Sequence, residues 1–200
     1  MIHRPSNRSE PRHHPLSSPA IPVIGFVGLS GSGKTTLISA IIPFLSRAGR
    51  RVAVLKHAHH GFDMDRPGKD SYRMREAGAA QVLVASRDRW VLQTETPSGG
   101  AEPRFLDLLR RFNPQEIDLI LAEGFSSESY PKIEVYRPSL GEPPKCWPHD
   151  PAVCAVATDV LLAVAEPVVR LDLNRPDLVA DYLLGVSPVA HHPAVAIHAD

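Results

Sequence analysis

The chain has 200 residues, enough for one α/β domain with a sizeable core and a squeeze for two. Lys plus Arg (22) balances Asp plus Glu (22), so a net charge of zero gives no electrostatic ground for nucleic-acid or membrane-surface binding. Cys146 and Cys154 are too few for a disulfide framework and lack metal-ligand spacing. No apolar run nears the ~20 residues that span a bilayer, and no apolar segment follows the basic N-terminus, so a cytoplasmic setting is expected.

Residues 1–20 are rich in Pro, Ser, Arg and His, which predicts a disordered tail that includes His13 and His14. Residues 21–27 read as a β-branched strand. Residues 34–48 place Leu37, Ile38, Ile41, Ile42 and Leu45 at helical spacing, with Gly49 as the stop. A second strand is expected over 51–56, a polar helix over 69–77 closed by Gly78, and two short strands over 81–85 and 90–93 joined by the turn 86–89. A helix over 102–112 precedes a nearly all-apolar strand over 117–122, the pattern of a strand covered on both faces. Strands over 132–136, 153–157 and 168–171 and a closing helix over 177–184 complete the domain, 21–186, with a flexible C-terminal tail over 187–200. This alternation predicts an α/β fold, a mostly parallel sheet with helices on both faces in the three-layer P-loop manner.

Gly28-Leu-Ser-Gly-Ser-Gly33-Lys34-Thr35 satisfies G-x-x-x-x-G-K-[ST] at every fixed position, between a strand and an amphipathic helix. Glycines let successive backbone N–H groups turn inward around a β-phosphate, and the helix adds its positive dipole end. Ser30, Gly31, Ser32, Gly33, Lys34, Thr35 and Thr36 are therefore the candidate phosphate-binding residues, with Lys34 as the charge on the β- and γ-phosphates and the Thr35 hydroxyl on Mg²⁺. Glu123, where the apolar strand ends, is the candidate metal-side or water-ordering carboxylate, whereas Asp118 points to the wrong end of the sheet.

The stretch after the second strand, from Lys56 through His57, His59, His60, Asp63, Asp65, Lys69 and Asp70, should open on the same crevice. Three readings stay open for it: a His/Asp transition-metal site, a nucleotide- or partner-facing loop in which Asp65 assists Mg²⁺ through water, and a purely structural loop. Thr158-Asp159, just after a strand, is the candidate guanine-reading segment, because a carboxylate can accept from both guanine N1–H and N2–H₂. An Asn-Lys-x-Asp guanine motif is absent from the chain.

The phosphate loop, Lys56-x-x-His59-His60-x-Phe62-x-x-Asp65-x-x-Gly68-Lys69-Asp70-Ser71, Ala77-Gly78-Ala79, Leu121-x-Glu123-Gly124-Phe125 and Pro131-Lys132-Ile133-Glu134 together resemble the molybdopterin-guanine dinucleotide biosynthesis protein B family (MobB). The resemblance covers residues 21–184 and implies a GTP-binding adapter, commonly a homodimer, that is at most a slow GTP hydrolase. Such an adapter assists the guanylyltransferase that joins GMP to molybdopterin, with molybdopterin itself or molybdoenzyme chaperones as further contacts. Carried over, Gly31, Gly33, Lys34 and Thr35 hold phosphate while Thr35 and Glu123, with Asp65, attend Mg²⁺. Two other classes compete: a small-molecule kinase, for which Arg73 and Arg75 could serve a lid, and a nucleotide-gated metal-delivery protein using His57, His59 and His60.

Overall fold

The computed structural model describes residues 21–58, 62, 64–96 and 102–185. The two expected tails lie outside the described residues, as do His59, His60 and Asp63. The elements, in chain order, are β1 (Val23–Val27), α1 (Lys34–Arg47), β2 (Val52–Lys56), α2 (Asp70–Glu76), β3 (Gln81–Ala85), β4 (Trp90–Thr94), α3 (Phe105–Leu109), β5 (Leu119–Glu123), β6 (Lys132–Tyr136), β7 (Val153–Thr158), β8 (Val169–Asp172) and α4 (Pro176–Gly185). Six strands form one sheet in the order β2-β5-β1-β6-β7-β8, and every neighbouring pair is parallel. β3 and β4 form a separate antiparallel hairpin.

β1 and β5 are buried along their whole length, as a β-branched and aliphatic run in the middle of a covered parallel sheet should be. On one face, Leu37, Ile38, Ile41 and Leu45 of α1 and Val179, Ala180 and Leu183 of α4 pack over Phe26, Leu121 and Ile133. On the other, Phe105 and Leu109 of α3 cover Val23, Ile120 and Ala122, with Tyr130 beside them. The three-layer α/β reading therefore holds, with one refinement. Over β6 and β7 the second face is closed by irregular chain, Cys146 and Trp147 packing on Val153 and Val156, rather than by a helix.

Element ends shift by a residue or more from the periodicity, and two of the shifts have a visible cause. The helix expected over 102–112 is regular only from Phe105 to Leu109, because Arg111 N–H and Phe112 N–H bond back three residues, to Leu108 O and Leu109 O, and tighten the last turn ahead of Asn113-Pro114. The apolar strand begins at Leu119 rather than 117, since Asp118 is turned toward Arg51, and it runs on to include Glu123. No helix among the described residues is long and apolar enough to cross a membrane.

Because all six strands run the same way, their C-terminal ends share one edge. That edge carries the loop after β1, Lys56 at the end of β2, Glu123 at the end of β5, and the residues that follow β6 and β7.

Candidate nucleotide site

The loop from Gly28 to Gly33 takes its shape from backbone conformations that only glycine adopts without strain. Gly28 has φ 131° and lies against β6 so closely that a Cβ would stand 2.4 Å from Val135 O; Gly33 has φ 100° as the residue before α1. Within the loop Ser32 N–H donates to Leu29 O at 3.3 Å, and Leu37 N–H to Gly33 O, 2.9 Å, starts the helix ladder, so the amides of the first helical turn have no partner inside α1. Ser32 is buried under the loop, while Ser30, Gly31, Thr35 and Thr36 stay exposed.

Lys34 Nζ donates to Gly28 O at 3.0 Å and Leu29 O at 2.6 Å, so its ammonium is folded back across the mouth of the loop. Burial holds its pKa below the ordinary lysine value; the Glu123 carboxylate opposes that shift, and Lys145 and Lys56 add to it. Thr35 Oγ1 donates to Glu123 Oε1 at 2.7 Å, which places the expected metal-side hydroxyl and carboxylate together from positions 88 residues apart. Lys56 Nζ reaches both, 3.1 Å from Glu123 Oε1 and 3.2 Å from Thr35 Oγ1. Its ammonium is a stand-in cation between two hard oxygen donors, the donor type Mg²⁺ selects, so the Thr35–Glu123 pair fits such an ion.

The sequence places Lys56 at the crevice, as the start of the stretch that follows β2, but gives it no partner. Its partner depends on strand order: β2 pairs with β5 in a register that sets Lys56 beside Glu123. Arg137 carries no signal beyond following a strand. It donates from Nε to Ser32 O at 3.0 Å and from Nη1 to Asp159 Oδ2 at 2.5 Å, tying the end of β7 to the phosphate loop.

The Glu-Gly-Phe turn after β5 is bolted to the same edge. Gly124 has φ 96°, and a Cβ there would stand 3.0 Å from His57 Cβ. Phe125 keeps φ 52°, an unusual conformation for a side-chain-bearing residue, while its ring packs on His57 at 5.0 Å and on Phe105 at 4.8 Å. His57 Nε2 also pairs with Glu102. A cleft of about 1060 Å³ opens in front of the loop, bordered by Gly28, Lys34, Lys56, Glu123, Arg104 and Lys145.

Asp65 is placed elsewhere. Its carboxylate accepts from Arg66 N–H at 2.9 Å and from Ser71 Oγ at 3.0 Å, anchoring the start of α2. It borders a cavity of about 200 Å³ under the hairpin with Val82 and Val91, rather than the large cleft. Among the described residues no group of three His, Cys, Asp or Glu side chains is placed to hold a metal ion.

A strand, a glycine loop and a helix, joined by a hydroxyl–carboxylate pair at the C-terminal edge of a parallel sheet, make this a P-loop α/β protein. The family model of Molybdopterin guanine dinucleotide synthesis protein B matches residues 23–159, and the chain belongs to that family. It is 44% identical over 164 residues to the molybdopterin-guanine dinucleotide biosynthesis adapter protein of Escherichia coli (strain K12), spanning 82% of this chain and 92% of that protein. It is 44% identical over 165 residues to the adapter protein of the same name from Haemophilus influenzae, spanning 82% of this chain and 88% of that one. The crystal structure of Bacillus subtilis MobB shares the fold with a TM-score of 0.64 at 25% identity, covering 82% of this chain and 96% of that one.

Proposed function

We propose that the protein is a GTP-binding adapter of molybdopterin-guanine dinucleotide synthesis, assisting the guanylyltransferase that attaches GMP to molybdopterin and turning GTP over slowly. The observation that carries this reading is the Thr35–Glu123 contact of 2.7 Å beside Lys34, at the mouth of a complete phosphate loop. The loop amides cradle the β-phosphate, and Lys34 leaves the carbonyls of Gly28 and Leu29 for the phosphate oxygens. Mg²⁺ held by Thr35 and Glu123 supplies charge neutralisation on the β- and γ-phosphates. Membership of the family, with two adapter relatives at 44% identity, supports the adapter role and the guanylyltransferase partner.

Asp159 is the guanine-reading carboxylate in this reading, standing at the end of β7 with Arg137 as its bridge to the phosphate loop. The homodimer forms through the β3–β4 hairpin, whose outer face carries exposed Leu83, Trp90 and Leu92.

Calorimetric titration with GTP and ATP in Mg²⁺ tests the reading. GTP should bind and ATP bind much more weakly; Lys34→Ala should weaken GTP on the order of a hundredfold, as loss of a charged phosphate contact in a partly buried site does. Glu123→Gln should leave Mg²⁺-free binding in place and abolish the gain from adding Mg²⁺. Equal affinity for the two nucleotides, or preference for ATP, overturns the guanine assignment and brings a kinase forward.

A further inference from the structure

The connection between β6 and β7 returns over the phosphate loop, and one buried carboxylate shapes it. Glu134 is 1% exposed and sits on the face of β6 opposite Ile133 and Val135. Its two oxygens accept from three consecutive backbone N–H groups: Lys145 at 2.5 Å, Cys146 at 3.0 Å and Trp147 at 2.5 Å. Charge-assisted bonds of this kind, in a buried setting, fix the backbone that makes them. The far end of the connection is fixed too, because buried Lys132 donates to Asp150 Oδ2 at 2.6 Å and to Ser126 O at 2.8 Å.

What this pinning accomplishes is visible in the side chain it leaves over. The Glu134 cradle uses only the backbone N–H of Lys145, which any residue but proline would supply. The Lys145 side chain is exposed and borders the large cleft with Gly28, Leu29 and Lys34. Lys34 and Lys56, the other two ammonium groups there, donate to loop carbonyls and to Glu123. No carboxylate among the described residues pairs with Lys145. The cleft it borders is the one that holds Glu123 and Lys56, whereas Arg137 and Asp159 are not part of its wall. Lys145 therefore shares the cleft of Glu123 and Lys56 and lies near enough to Lys34 for its charge to help lower the pKa of that ammonium.

We infer that Lys145 is a built-in cation for the terminal phosphate of the bound nucleoside triphosphate, and that Glu134 is the positioning residue that aims it. The inference rests on the nucleotide-binding reading above and deepens it by naming the residue that distinguishes a triphosphate from a diphosphate. A lysine in this place neutralises charge on the γ-phosphate oxygens; as an ammonium it makes point contacts instead of the two-pronged grip of a guanidinium.

The test is the affinity ratio for GTP over GDP, measured by titration of the wild-type protein and of Lys145→Ala, Lys145→Arg and Glu134→Gln. Lys145→Ala should weaken GTP about tenfold and change GDP less than about twofold, the size of one lost charge-assisted contact. Lys145→Arg should restore most of the ratio, and Glu134→Gln should lower it in the same direction as Lys145→Ala. A wild-type ratio in Lys145→Ala overturns the inference; a wild-type ratio in Glu134→Gln alone overturns the role of Glu134. Failure of the wild-type protein to bind either nucleotide is a different result, and it sinks the nucleotide-binding reading itself.

Discussion

Asp118 stands just before β5 and accepts from Arg51 three times: Nη2 at 2.7 Å, Nε at 3.0 Å and the backbone N–H at 2.8 Å. Those donors, the guanidinium first, lower its pKa to about 2 from an ordinary 3.8. A carboxylate with a depressed folded-state pKa stabilises the fold above its unfolded value, and the contribution is lost as pH falls through the folded one. Asp118→Asn should accordingly melt below wild type at pH 6, and the gap should close between about pH 4 and pH 2. Thermal unfolding followed by circular dichroism at pH 6, 4 and 2 checks this; a gap of the same size at pH 2 would contradict it. Glu123, five residues on, has the other job, receiving Thr35 and Lys56 at the edge where the glycine loop opens. That division was legible from the chain alone, since a parallel strand presents its C-terminal end to the phosphate loop. Lys56 was legible as the start of a crevice-facing stretch but not as the partner of Glu123, and Arg137 and Lys145 were not legible, because these contacts follow from which strands are neighbours and from how a connection folds back.

Among elements, the strands and helices with a clear apolar period were readable to within a residue or two, and α3 was the exception. It has five regular residues, yet its Phe105 and Leu109 are the side chains that close the second face over Val23, Ile120 and Ala122. Leu109 is fully buried, so Leu109→Ala removes contact and leaves a cavity in a layer with little else to fill it. The expected cost is about 2–5 kcal/mol, measured by urea unfolding with the slope held in common. A loss under about 1 kcal/mol would mean that this face relaxes around the gap and that α3 is not its cover. The same helix carries the wall of the cleft, since Phe105 packs on Phe125 and Phe125 on His57. The strand order β2-β5-β1-β6-β7-β8 is a different matter. Parallel neighbours are selected by crossovers and helix packing, which local pattern does not record; only β3–β4, joined by a four-residue turn, announced its partner in the sequence.

For the molecule as a whole, the hairpin is the part whose sequence and surroundings disagree. Its residues are those of a strand pair with something to bury, yet none of the ten is buried. Register divides them into two faces: Val82, Val84, Val91 and Gln93 border the small cavity shared with Asp65 and Ser71, while Leu83, Trp90 and Leu92 point the other way. Leu83 sits directly opposite Leu92, and both are about half exposed or more, at 62% and 47%, with Trp90 at 66%. A two-stranded hairpin is marginal in water without a third layer, and three large apolar side chains on one face need a partner surface. A second copy presents the same patch under two-fold symmetry, so one surface serves both sides of the contact. Leu92→Glu places a carboxylate at the centre of that face without touching the sheet, the phosphate loop or the cleft. Light scattering behind size exclusion should then give a dimer for the wild type and a monomer for Leu92→Glu, with GTP affinity unchanged within about twofold. A monomeric wild type would leave the hairpin to another protein, and a Leu92→Glu dimer would move the interface off this face; either result ends the assignment of Leu83, Trp90 and Leu92 to self-association.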